Sequence, residues 1–193
     1  MNREEFFELL KSKISQPGLD LVQDAYNLAK NLHRDQMRDD GERYFEHCRR
    51  VALVIILERK IFQPETIATA LLHDVLEDTF VHPRVLRKVF GEEIHGWLNL
   101  LSKTVPRFDD MTGKVVFREK KGLQNYFWAI QNGPLPVRII KLSDRLDNLR
   151  SFSIWPSERR AKYIRETKGY IFPIAQDTDS WFIGEFSKHC GAA

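Results

Sequence analysis

The sequence predicts an all-α fold, a single multi-helix globule. Three observations lead there. Apolar residues recur at helical spacing in one segment after another. Gly and Pro gather at the breaks between those segments. No alternation of strand-like with helix-like runs points to a parallel sheet.

The breaks fall at Pro17-Gly18, Pro64, Pro83, Gly91, Pro106, Gly113, Gly133-Pro134, Pro136 and Pro156. Asn2, with Glu4 and Glu5 next and Phe6, Leu9 and Leu10 behind, predicts a capped first helix. Leu19 to Arg34 carries Leu21, Ala25, Leu28 and Leu32 as one stripe, and Tyr44 to Arg59 carries Phe45, Val51, Val54, Ile55 and Leu57. Pro64 suits a first helical turn, and Ala68 to Leu76 is almost wholly apolar, as in a buried helix. His82 to Phe90 is a short helix stopped by Gly91, and Glu92 to Lys103 forms another. Thr104 to Val116 is polar, holds Pro, Gly and Asp109-Asp110, and is expected to be a mobile loop. Phe117 to Ile130 is amphipathic. Pro134 to Arg150 has strand-like residues at Val137, Ile139, Ile140 and Leu142, yet its length and the want of a partner strand favour a helix. Pro156 to Gln176 and Asp179 to Lys188 complete the series.

A chain of 193 residues with 42% hydrophobic and 30% charged residues fits one domain over 1–193 with a sizeable core, and excludes a disordered chain. A net charge of +3 is too small for a dedicated nucleic-acid binder. The longest apolar run, Val51 to Leu57, is far below the roughly 18–20 residues of a membrane helix. The N-terminal MNREEFFELL has no apolar stretch of a secretory signal, and Cys48 and Cys190 form neither a disulfide framework nor a metal knuckle. The expectation is a reduced, cytoplasmic protein without membrane or nucleic-acid partners. Its many Phe and Trp residues are compatible with self-association.

The apolar helix at Ala68 runs directly into His73-Asp74-Val75-Leu76-Glu77-Asp78. On a helix, His73 and Glu77 are i,i+4, as are Asp74 and Asp78, while Asp74 and Glu77 are i,i+3. The carboxylates crowd one end with no Lys or Arg among them. A bound cation relieves such repulsion, and solvation of an emerging helix end is the plainer alternative. Two further segments add to the set. His47 stands one turn before the apolar run at Val51, and Asp144 lies among apolar residues in the last third. Together, His47, His73, Asp74 and Asp144 offer two imidazoles and two carboxylates without a thiolate. That donor set suits a divalent metal that keeps water positions open, Mn²⁺ ahead of Fe²⁺, Mg²⁺ or Zn²⁺.

The order of these residues, H…HD…D, resembles the signature of the HD-domain metal-dependent phosphohydrolases. The likeness narrows further. His33 to Arg38 followed by Gly41 to His47 resembles the "HxxQxR…GEPYxxHP" opening of RelA/SpoT-type alarmone hydrolase domains. Leu71 to Thr79 resembles their "LLHDVVEDT", with Phe90-Gly91 as the "FG" that follows. Val137 to Arg150 resembles "VRIIKLADRLxNxR", and Glu166-Thr167 with Tyr170 and Pro173 resembles "ETxxxYxPLA". The match covers residues 20–177 and implies a stand-alone small alarmone hydrolase, without a synthetase or regulatory domain.

The resemblance implies hydrolysis of the 3′-pyrophosphate of (p)ppGpp to GDP or GTP and pyrophosphate, which lowers alarmone levels in the stringent response. It implies that His47, His73, Asp74 and Asp144 hold Mn²⁺, that Glu77 and Asp78 are the catalytic acidic pair, and that Arg38 packs on the guanine base. Asn148 and Ser151 match positions that contact the nucleotide, and Tyr44 and Lys141 are further pocket residues. Arg145 and Arg150 are candidates either for phosphates or for ion pairs with Asp147 or Glu166. His33 is expected to pack, and His82, His95 and His189 to lie at the surface or at helix ends. Trp97, Trp128 and Trp155 are expected in the core or at an interface. The chain departs from the pattern at Asp39-Asp40, beside the arginine, and at Arg43 and Cys48, each in place of a proline. These departures bear on substrate preference. The alternatives are an HD-type phosphohydrolase acting on another nucleotide such as NADPH, and a non-catalytic nucleotide-binding module.

Overall fold

The Asn2 side chain accepts from the Glu5 backbone N–H while Glu5 accepts from that of Asn2, a reciprocal cap that starts helix α1 (Arg3–Lys11). The computed structural model describes residues 1–109, 111–112 and 114–191. Ser15 caps α2 (Gln16–Leu32), which lies against the central helix α4 (Pro64–Leu72). Their approach is close: a Cβ on Gly18 would sit 2.6 Å from the Pro64 ring. Helix α3 (Tyr44–Leu53) runs on into a π-helical turn (Val54–Glu58). Residues Thr66 to Leu72 of α4 are all buried, as the apolar run predicts.

The helix expected over Ala68 to Leu76 breaks at His73-Asp74, and the short α5 (Val75–Asp78) follows. Helix α6 (Pro83–Leu101) contains a break at Gly91, whose φ of 83° is the left-handed region open to glycine. Two helical segments meeting at Gly91 is what the sequence predicts. Helices α7 (Leu123–Gln131) and α8 (Leu135–Ser151) come next. The stretch with strand-like residues is therefore helical, and it crosses the core against α3, α4, α6 and α7. A 3-10 turn (Phe152–Ile154), α9 (Ser157–Glu166), a π-helical turn (Thr167–Ile171), α10 (Phe172–Gln176) and α11 (Trp181–Cys190) complete the described chain.

The expected loop at Thr104 to Val116 requires correction. Strand β1 (Thr104–Phe108) pairs antiparallel with β2 (Val115–Lys120), Thr104 opposite Lys120 and Arg107 opposite Phe117. Strand β2 also takes the first residues of the helix expected from Phe117. β-Branched and aromatic residues favour the extended state here. Asp109 accepts from the Met111 and Thr112 backbone N–H groups at the turn. Asp110 and Gly113, part of that stretch, lie outside the described residues. The fold is otherwise all-α.

Trp97 and Trp155 are buried, whereas Trp128 is 67% exposed. His82 caps α6 and stacks on Phe108, with ring centroids 4.3 Å apart. Cys48 is buried in the core, and Cys190 is partly buried.

Candidate active site

Three helices meet at the site. α3 delivers His47 from its first turn, the break after α4 delivers His73 and Asp74, and α8 delivers Asp144. His47 Nε2 lies 3.6 Å from Asp74 Oδ2 and 3.4 Å from Asp144 Oδ1. His73 Nε2 lies 3.0 Å from Asp74 Oδ2 and 3.8 Å from Asp144 Oδ1. One ligand atom each from His47, His73 and Asp74 falls within 4.8 Å of the others. The four residues named from sequence are brought together.

The imidazoles are prepared for a cation. His73 Nδ1 bonds the Ala70 carbonyl oxygen at 2.8 Å and therefore carries the proton there. Its Nε2 is buried with no hydrogen-bond partner, although a carboxylate oxygen lies 3.0 Å away. A buried imidazole nitrogen facing a carboxylate with no aligned hydrogen bond between them fits a common positive ion. His47 Nδ1 bonds Asp147 Oδ2 at 2.7 Å, which turns Nε2 toward Asp74 and Asp144. The residues present fit a divalent metal.

The electrostatics agree. Burial disfavours a charged His47, but bonds to Asp144, Asp147 and Asp74 outweigh it and push its pKa up to about 10. Burial opposes ionisation of Asp144 too, yet the Lys141 ammonium and His47 hold its carboxyl well below the usual range. Asp74 is held low by His73 and His47 against the same burial. The site thus keeps its carboxylates ionised and demands positive charge.

Glu77 and Asp78 stand on α5 beside this cluster. His47, Asp74, Asp144, Glu77 and Asp78 line a cavity of about 290 Å³, with Tyr44, Arg38, Asn148, Trp155 and Arg159. Glu77 Oε2 accepts the Lys103 backbone N–H at 2.8 Å. The Tyr44 hydroxyl touches Asp74 and Asp78, and its ring stacks on His33. Burial, the charge on Asp74 and that on Glu77 raise the Asp78 carboxyl to about 6, against the lowering contact from Tyr44.

Arg38 sits in a loop closed by the Met37–Arg43 bridge. Its Nη2 donates to Asn148 Oδ1 at 2.7 Å and to Ser151 Oγ at 3.3 Å. Asn148 Nδ2 in turn donates to Asp144 Oδ1 at 2.7 Å. Asn148 faces the cavity, while Ser151 lies behind Arg38 and opens on a different hollow. Lys141 is buried and donates to Asp144 Oδ2 at 2.7 Å. Asp39, one of the departures, pairs with Arg159, and both line the cavity.

Arg145 and Arg150 are not among the cavity residues. Arg145 is buried over the Tyr163 ring at 3.9 Å and donates to Thr167, and Arg150 pairs with Glu58 and Glu185. These partners differ from the Asp147 and Glu166 expected. His33 is buried and bonds Gln36 at 2.8 Å.

Sequence reasoning missed Asp147, Arg50 and Arg118. Asp147 accepts from Arg50 Nε at 2.7 Å, and its signal was its place one turn beyond Asp144 on an apolar helix. Arg118 reaches from β2 to the Leu76 and Thr79 carbonyl oxygens that flank Glu77 and Asp78. Nothing in its local pattern marks it.

The family profile described as HD domain matches residues 25–114. Residues 25–114 of this chain are therefore similar to an HD domain. The matched span of the HD domain includes His47, His73, Asp74, Glu77 and Asp78, and α8 lies beyond it. The chain is 34% identical over 182 residues to the guanosine-3′,5′-bis(diphosphate) 3′-pyrophosphohydrolase of Aquifex aeolicus, covering 93% of this chain and 24% of the relative. It is 30% identical over 176 residues to the bifunctional (p)ppGpp synthase/hydrolase SpoT of Escherichia coli K12, covering 89% and 24%. It thus spans about a quarter of the length of these curated relatives. A solved structure described as a metazoan ortholog of SpoT that hydrolyzes ppGpp superposes with a TM-score of 0.73 at 22% identity, covering 90% of this chain and 97% of the other. That likeness shows the fold. The resemblance read from the motifs holds.

Proposed function

We propose that this chain is a divalent-metal-dependent hydrolase that removes the 3′-pyrophosphate of (p)ppGpp, with Mn²⁺ as the metal and the cytoplasm as its place of action. One observation carries the reading: an acidic pair, Glu77 and Asp78, shares a single cavity with His47, Asp74 and Asp144 of the His–Asp cluster and with the guanidinium of Arg38. The relatives from Aquifex and Escherichia are named for this hydrolysis. The nitrogen and oxygen donors, without thiolate, favour Mn²⁺. Free cysteines suit a reducing compartment, and no helix among the described residues is long and apolar enough to cross a membrane.

His47, His73, Asp74 and Asp144 would hold the metal. A divalent cation there supplies a lowered water pKa and neutralises phosphate charge. The chain's own groups do the rest. Glu77, fixed by the Lys103 N–H, is placed to orient water or accept its proton. Asp78, with its raised carboxyl, can hold a proton for the departing ribose 3′-oxygen. Water adds to the phosphorus, the bond to the 3′-oxygen breaks, and that oxygen takes the proton. Arg38 presents a guanidinium plane for the base, braced by Asn148 and Ser151.

Asp39 favours a second reading. A carboxylate beside an anionic ligand's cavity disfavours some phosphate arrangements, so another phosphorylated nucleotide such as NADPH is the competing substrate. Purified protein with Mn²⁺, offered ppGpp and NADPH side by side, separates the two. The proposal expects turnover of ppGpp, lost in Glu77→Gln. Turnover of NADPH alone would overturn the substrate.

A further inference from the structure

The His47 ring is gripped between two aspartates one turn apart on α8. Asp144 lies on its Nε2 side at 3.4 Å and Asp147 on its Nδ1 side at 2.7 Å. Asp147 is buried, with 4% exposure. Its Oδ1 accepts from Arg50 Nε at 2.7 Å, and its Oδ2 from Arg50 Nη2 at 3.2 Å. The same Oδ2 that holds His47 also accepts from Arg38 Nη1 at 3.3 Å. Arg50 is tied in turn to Glu42, in the loop that carries Arg38.

We infer that Asp147 is the positioning residue of the site: it fixes His47 as a metal ligand through Nδ1 and holds Arg38 in the cavity through the same oxygen. This rests on the metal-dependent reading above. The physical reason is direct. A carboxylate on Nδ1 sets the imidazole tautomer, orients the ring and makes Nε2 a stronger donor. Two arginines keep that carboxylate in place and ionised, since a buried charge without partners is costly. Because Arg38 and His47 share one acceptor oxygen, a ligand that draws Arg38 away leaves more of the charge on Asp147 for His47. Binding at Arg38 and metal binding are then coupled, with the same sign in both directions.

The test is Mn²⁺ affinity, read by competition with a fluorescent chelator and no nucleotide present. Asp147→Asn is expected to weaken Mn²⁺ by about 10–100-fold, and to shift the His47 ring-nitrogen NMR signals. Should that variant fail to fold once Arg50 and Arg38 lose the Asp147 charge, Asp147→Asn with Arg50→Gln removes both charges of the Asp147–Arg50 pair and is expected to show the same loss. Wild-type affinity and unchanged His47 signals in a folded variant overturn the inference. A protein that binds Mn²⁺, loses it in these variants and yet leaves ppGpp intact would overturn the substrate reading and keep this one.

Discussion

The Tyr44 hydroxyl donates to Asp74 Oδ2 at 2.7 Å while lying 2.9 Å from Asp78 Oδ2. One phenol has one proton for two carboxylates, and burial with the charges of Asp74 and Asp78 pushes its own ionisation far up. The second contact is satisfied when Asp78 carries a proton and donates it to the phenol oxygen. Tyr44 thereby ties a proposed metal ligand to a proposed catalytic acid. Tyr44→Phe keeps the ring on His33 and removes this link. A hydrogen bond to a charged group contributes roughly 1.5–3 kcal/mol, so kcat is expected to fall by about tenfold or more with KM little changed. Steady-state kinetics on ppGpp check this.

His47 predicts how metal binding depends on pH. Its folded pKa of about 10 stands above the ordinary value of 6.5. The stability it contributes as an imidazolium is fully present below 6.5 and is lost as pH rises through about 10. A metal at Nε2 must displace that proton, so affinity rises with pH and binding near pH 7.5 releases about one proton or more. Calorimetry in buffers of different ionisation enthalpy measures the release. A buffer-independent heat at pH 7.5 contradicts the prediction.

Arg118 predicts a role for the hairpin. Its guanidinium holds the Leu76 and Thr79 carbonyl oxygens, and the N–H of Lys103, just before β1, holds Glu77. Arg118→Ala is expected to loosen α5 and lower kcat by about tenfold, the cost of a small misplacement of catalytic groups. Metal affinity should stay near wild type, because no side chain of the His–Asp cluster touches Arg118. Kinetics beside a chelator competition separate the two effects.

Gly18 predicts a packing limit. Gly18→Ala sets a Cβ 2.6 Å from Pro64 Cγ, where α2 meets α4. Overpacking of this kind costs about 1–3 kcal/mol, which lowers the melting temperature by several degrees. Thermal unfolding of the variant gives the answer, and an unchanged midpoint would show that Pro64 yields freely.

The sequence carried the helical fold because the helices bury one face and say so in their spacing. Ala68 to Leu72 is almost wholly apolar because it is buried on every side, and in α2 Ala25 lies on the buried face with Val22, Tyr26 and Ala29, while Leu21 and Leu28 flank it partly buried. The hairpin left no such signal. Val116 and Phe117 are both more than half exposed, so β2 has no buried apolar face to alternate with. The four proposed metal ligands were legible because their residue types are costly in apolar surroundings unless used together. Asp147 and Arg50 were not, since a buried ion pair is defined by which helices face each other, and α3 and α8 meet only in three dimensions. The same holds for Arg145, which sequence could not distinguish from a phosphate ligand until Tyr163 was found beneath it.

The most direct test of the central claim is phosphorus NMR of ppGpp incubated with the purified protein and Mn²⁺. Growing signals of inorganic pyrophosphate and GDP are expected, absent with Glu77→Gln or with excess chelator. Intact ppGpp, or release of orthophosphate in place of pyrophosphate, would contradict it.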